Sequence, residues 1–211
     1  MRVTAKEYFS LVEALESSPD RAERLNAACR LGSWGAGGTA AILVKALQRE
    51  QEAVVREAIM GSLLLCDAGE VVQEVAPLLK SDDPTSRSLA LEILTCKVED
   101  RAAGVLEQLL QDGDRDVRVL AVHVLGRSRY SGSLDLLRQV VQREEDINVA
   151  CAALEYIGEL GRPGDRPLVE SCRQRFRHPY MEFIATKTLQ QLQASMESQQ
   201  VEGEEYLNEP V

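Results

Sequence analysis

The residues best suited to chemistry in this chain are few and evenly spaced. His123 and His178 are the only imidazoles, and His123 stands 31 residues after Glu92 and 32 before Glu155. A carboxylate–imidazole–carboxylate set is one that zinc and other first-row ions accept. On matching positions of stacked helices, however, the three would start roughly 10 Å apart, whereas zinc holds its ligands at about 2.0–2.2 Å. The spacing therefore predicts a solvated groove, with no metal and no other cofactor. The five cysteines, Cys29, Cys66, Cys96, Cys151 and Cys172, are odd in number and lack C-x-x-C spacing. They read as small apolar fillers in a reducing compartment, and none has a sequence partner that would mark a nucleophile. The fingerprints of a nucleophile elbow, a phosphate loop and a dinucleotide site are missing from the sequence. The Gly-rich run Gly32-Ser33-Trp34-Gly35-Ala36-Gly37-Gly38 reads as an inter-helix turn, in which Trp34 either closes the first layer or, if exposed, marks a contact site. The expectation is a chain without catalytic residues.

A ladder of charge is the other candidate. Arg24, Arg56, Arg87 and Arg118 follow one another at 32, 31 and 31 residues, and Ala150 and Glu182 hold the same slot in later copies. Four residues before each slot stand Asp20, Glu52, Asp83, Asp114, Asp146 and His178. An acidic residue there is placed to cap a helix and face its positive end. A planar, bidentate guanidinium suits a structural clamp.

The elements that position these residues follow from the apolar pattern in the same register. Three residues after the slot come Ala27, Ile59, Ala90, Ala121, Ala153 and Ala185, and four further on Leu31, Leu63, Leu94, Leu125, Ile157 and Leu189. A spacing of four lines one side of an α-helix. Gly32, Gly126 and Gly158 come next and read as helix ends or turn punctuation. Leu43, Val75, Leu106, Leu137 and Val169, with Leu47, Leu79, Leu110 and Val141 four residues later, mark a companion helix in each unit. The chain parses into helix pairs at about 4–32, 37–66, 69–96, 100–127, 132–160 and 164–194. A single pair cannot bury its apolar face alone, and stacking solves that. The pattern fades after Gln193, so an ordered domain 1–194 is expected, followed by an acidic, disordered tail 195–211.

Composition narrows the partners. The chain is 211 residues long, 45% hydrophobic and only 4% aromatic, and carries a net charge of −10. The tail has Glu197, Glu202, Glu204, Glu205 and Glu209 and neither Lys nor Arg, so half of the net charge sits there. An acidic body argues against nucleic acid, which needs a basic face, and against docking on anionic membrane lipid. With no apolar run of signal-peptide or membrane-spanning length, the expected location is cytoplasmic.

The fourth copy, Asp114-Arg115-Asp116-Val117-Arg118-Val119-Leu120-Ala121-Val122-His123-Val124-Leu125-Gly126, resembles the second-helix signature of the HEAT repeat. The pattern is acidic-x-x-Val-Arg-x-x-Ala-x-x-x-Leu-Gly, in the short bacterial subclass first associated with phycobilisome lyases. The first copy keeps Asp20, Arg24, Ala27, Leu31 and Gly32, and the resemblance covers about residues 4–194. It implies an all-α fold, a right-handed α-solenoid of about six HEAT-like helix pairs. It also implies that each Arg ties a loop or adjacent repeat through acidic partners, and that the second helices line a concave face. The loss of Arg at Ala150 and Glu182 fits the atypical end repeats of solenoids. The function implied is a non-catalytic scaffold or adaptor of a bacterial cytoplasm, binding a protein or peptide on that face. Bilin lyase or related chromophore-handling activity is the alternative the subclass suggests. DNA binding of the kind some HEAT-like glycosylases show is a third, and the acidic body opposes it.

On the helical wheel the outward positions are one, five and nine after the slot. They hold Glu92, Val119, His123, Arg127, Cys151, Glu155, Phe183 and Lys187. Val119, Cys151 and Phe183 form an apolar line with charge on both sides, the anatomy of a protein-binding patch. In the tail, Glu204-Glu205-Tyr206-Leu207-Asn208-Glu209-Pro210-Val211 is either a solubilising end or a short peptide ligand for a basic groove.

Overall fold

The computed structural model describes residues 4–99 and 103–207, with side chains in the last helix as far as 194. Among these residues the secondary structure is helical, twelve α-helices and no strand. No helix among them is long and apolar enough to cross a membrane. The chain divides into two compact units, Met1–Val105 and Leu106–Val211.

The first unit contains α1 (Ala5–Ser17), α2 (Arg21–Trp34), α3 (Thr39–Leu47), α4 (Ala53–Leu63), α5 (Ala68–Val75) and α6 (Pro84–Lys97), with a 3-10 turn at Ala76–Lys80. α2 packs on α1 and on α4, and α3 packs on α4 and α5. The division falls inside α7 (Ala103–Leu109). The second unit continues with α8 (Arg115–Arg127), α9 (Ser133–Arg143), α10 (Ile147–Leu160), α11 (Arg166–Phe176) and α12 (Pro179–Leu207). There α10 lies between α8 and α12, and α9 lies against α11. Second helices thus stack on second helices at α2–α4 and α8–α10–α12, and first helices on first at α1–α3–α5 and α9–α11, as the apolar pattern predicts, whereas α6 packs on α5 and on the 3-10 turn.

The acidic ladder begins the second helices. Asp20, Asp114 and Asp146 each accept the backbone N–H two residues on, at 2.8 Å. Asp83 accepts from Thr85 and Ser86. His178, in the same register, accepts the Tyr180 N–H on Nδ1 at 3.1 Å, so its role is that of a cap. Glu52 stands at the cap of α4 without a side-chain cap bond.

The core is the expected one. Ala27, Ile59, Ala90, Ala121, Ala153 and Ala185 are wholly buried, and so are Leu43, Val75, Leu106, Leu137 and Val169 of the companion helices. Trp34 is half-buried, its ring edge-on to Tyr8 at 4.9 Å.

Two expectations change. Gly32, Gly126 and Gly158 are not helix ends; they lie inside α2, α8 and α10. A Cβ on Gly32 would meet Ser62, one on Gly126 the ring of Tyr156, and one on Gly158 Gln191. Each touches the next second helix, so glycine is there for close approach. The true helix end is Gly35, which caps α2 with φ 62, and Gly38 enters α3 with φ 84. The cysteines also divide, since Cys66, Cys151 and Cys172 are buried while Cys29 and Cys96 are exposed. The last helix, α12, extends to Leu207. The side chains of the tail from 195, and residues 208–211 altogether, lie outside the described residues.

Candidate functional site

The arginine ladder resolves into a clamp that occurs once in each unit. Arg24 grips Glu50 with two parallel bonds, Nε at 2.7 Å and Nη2 at 3.1 Å, while Nη1 donates to Ser18 O at 3.0 Å. Arg118 repeats this on Glu144 at 2.9 and 3.0 Å, and on Asp112 O at 2.9 Å. The carboxylate is held from its other side as well. Glu50 accepts the N–H groups of Gln51 and Glu52, and Glu144 those of Glu145 and Asp146. One guanidinium thereby ties the loop before its own helix to the loop before the next second helix. Bidentate, charge-assisted bonding is strong and directional, and these pairs are mostly buried.

The clamp is not uniform. Arg87 keeps only the carbonyl bond, to Ser81 O at 2.6 Å, and the residue 26 further on, where the other two copies place Glu, is Gly113. Ala150 fills its slot as a buried apolar residue. Glu182 inverts the charge and takes Arg173 as partner at 3.3 Å. A cleft adjoins the clamp in each unit, about 330 Å³ beside Arg24 and about 350 Å³ beside Arg118. Its recurrence with the clamp marks it as a by-product of repeat geometry.

The outward positions are placed as follows. Glu92 is exposed on α6, in the first unit. In the second unit Val119, His123 and Glu155 are half-buried, Arg127 and Lys187 are exposed, and Phe183 is 66% exposed. Cys151 corrects the wheel argument: it is fully buried. It sits on the middle second helix, packed by α8 on one side and α12 on the other, and burial pushes its thiol pKa up to about 12. The apolar line is thus interrupted at its centre.

The suspected metal ligands go to separate partners. His123 Nδ1 lies 3.0 Å from Tyr156 Oη, with the two rings edge-on. Burial lowers the His123 pKa, Arg127 reinforces the shift and Glu155 opposes it. Glu155 instead pairs with Lys187 at 3.6 Å. These contacts link α8 to α10 and α10 to α12. Among the described residues no group of three His, Cys, Asp or Glu could hold a metal ion.

Several features have no periodic signal. Arg138 grips Asp165 with two bonds, at 2.7 and 3.0 Å. Asp165 is buried, which pushes its pKa up, but the Arg138 bond, the Arg162 N–H and the charges of both arginines together outweigh burial and hold it low. Arg175 donates to the last carbonyls of α9, Gln142 O at 2.6 Å and Val141 O at 2.8 Å. Tyr180 is 45% exposed beside Phe183 in sequence. Only the density of Arg between 162 and 177 could have pointed to this corner.

Residues 102–190 match the family described as HEAT repeats. The chain is similar to the archaeal HEAT-like repeats protein from Thermococcus onnurineus, at 18% identity over 90% of this chain and 88% of that one, TM-score 0.41. It is also similar to a designed armadillo repeat protein, at 18% identity over 87% and 98%, TM-score 0.37. A third similar structure is an engineered protein, at 18% identity over 89% and 97%, TM-score 0.37. No curated protein matches the chain.

Proposed function

We propose that this chain is a non-catalytic interaction scaffold that captures a protein or peptide on the second-helix face of its second unit. The observation that carries this reading is Phe183, two-thirds exposed on α12 with Tyr180 close by. A large aromatic left in water contributes nothing to the core, and aromatic residues ringed by charge are the usual anchors of protein interfaces. Glu182 and Lys187 supply charged surroundings on α12, and Val119 and Arg127 extend the same second-helix face on α8. Arg24, Arg87 and Arg118 and the capping aspartates are engaged in holding loops and helix ends, which favours the non-repeating surface as the place for recognition.

The test is Phe183→Asp. The substitution should abolish affinity capture of the partner from native lysate while the Tm stays within about 1 °C of the parent, as expected of a surface change. Capture that persists in Phe183→Asp and in Val119→Asp alike would refute the reading.

A further inference from the structure

The corner between α11 and α12 is cationic in an acidic protein. Arg175 and Arg177 are exposed there, and neither pairs with a carboxylate among the described residues. Arg175 spans to the last carbonyls of α9, and its guanidinium lies 4.8 Å over the Phe176 ring. Arg177 sits at φ 45, the only non-glycine with positive φ among the described residues, a conformation uncommon for a residue with a side chain. Tyr180 follows, half exposed. Beyond it Pro179, Glu182, Phe183, Thr186, Lys187 and Gln190 line an uncovered groove of about 490 Å³ along one face of α12.

The complementary charge lies on the same helix, out of reach. α12 has 29 residues and is roughly 43 Å long. Glu197 to Glu205 are carried roughly 27–39 Å along it from Pro179, so they cannot meet Arg177 of their own chain. A second α12 running the other way brings them there. Placing 204–205 opposite Arg177 sets 179–203 of one helix beside 179–203 of the other, and by two-fold symmetry every contact forms twice. Phe183 is then covered and the cations at Arg175 and Arg177 face carboxylates.

We propose that two copies of this chain pair through antiparallel α12 helices, the acidic segment 197–205 of each lying against the cationic corner Arg175–Tyr180 of the other. The pairing rests on the interaction reading only at Phe183 and Lys187.

Sedimentation velocity on the full chain tests it. The expected result is a dimer whose Kd rises about tenfold or more between about 50 and 500 mM salt, as screening predicts. Arg177→Glu, and separately Glu204→Arg with Glu205→Arg, should each weaken the dimer about tenfold or more, with unchanged Tm. Mixing the two variants should restore a heterodimer, because the charges again oppose. A synthetic peptide of residues 195–211 added to the parent chain should compete with dimerisation. A chain monomeric at every concentration, or charge-reversed variants that stay apart when mixed, overturns the pairing. A monomer that still binds the peptide also overturns it, and indicates an acidic partner of another kind. A monomer that loses lysate capture on Phe183→Asp overturns the pairing and leaves the interaction reading standing.

Discussion

Gly32→Ala separates packing from helix propensity in one substitution. Gly32 lies within α2, and a Cβ there would sit 2.6 Å from Ser62 Cα and 2.7 Å from Ser62 Oγ on α4. Carbon atoms settle at about 3.5–4.0 Å, so α2 and α4 would have to part by about 1 Å. Ser62 cannot turn aside, because Cα is backbone and Oγ donates to Ala28 O at 2.9 Å in a buried bond. Propensity favours Ala over Gly by about 1 kcal/mol. Overpacking a tight joint costs about 1–3 kcal/mol, and opening this one also loosens Ala27, Ala28, Ile59 and Leu63, all fully buried. The net expectation is a loss of about 1–2 kcal/mol, a fall in Tm of roughly 2–8 °C. Gly61 is the control: it lies in α4, and a Cβ there meets nothing within 4 Å. Gly61→Ala should therefore stabilise by about 0.5–1 kcal/mol. Urea unfolding followed by far-UV circular dichroism reads both. Adding Ser62→Gly to Gly32→Ala should recover only part of the loss, since Cα stays where it is. A Gly32→Ala chain as stable as the parent would refute the close-approach account.

Arg118→Ala should cost about 2–4 kcal/mol, below the usual figure for breaking a fully buried pair because the clamp keeps some solvent access. A double-mutant cycle with Glu144→Gln in urea unfolding should give a coupling of about 1–3 kcal/mol, and a coupling near zero would reduce the clamp to a crystal-like ornament of the surface. Acid should weaken the first unit through Glu50. The Arg24 side-chain bond holds that carboxyl below its ordinary value of 4.5, burial opposes, and the N–H groups of Glu52 and Gln51 assist. With the folded pKa below the unfolded one, the stabilisation is complete above the unfolded value and is lost as pH falls through the folded one. Tm against pH should show this limb in the parent and a flatter one in Glu50→Gln.

Most of the fold was legible because one period carries both core and caps. Ala at three after the slot and Leu at seven need only helical spacing to be placed, and the six expected pairs match α1/α2 through α11/α12. The glycines misled because Gly ends helices more often than it packs them, and the contact that demands Gly126 is Tyr156, thirty residues away in sequence. Cys151 misled for a different reason. A helical wheel divides a helix into in and out, but α10 has a second helix on either side, so its nominal outside is also interior. His123 and Glu155 were read in the right register, yet their neighbours, Tyr156 and Lys187, are set by how far each side chain reaches across the stack. No spacing rule supplies that.

The arginine slot shows how recognition can be separated from support in such a chain. Where it is filled by Arg24 or Arg118, the carboxylate that answers it lies 26 residues on and the two loops become one rigid edge. At Ala150 the slot is apolar and buried, and at Glu182 the sign is reversed and Arg173 answers from the preceding helix. The support therefore changes in the last two pairs, and the last of them exposes Tyr180 and Phe183 and leaves Arg177 without a carboxylate partner among the described residues. An internal repeat has neighbours on both sides to take up such groups. A departure from the repeat that leaves an aromatic and a cation uncovered on one helix end adds nothing to the core of the unit, which is the physical ground for expecting a surface that covers them.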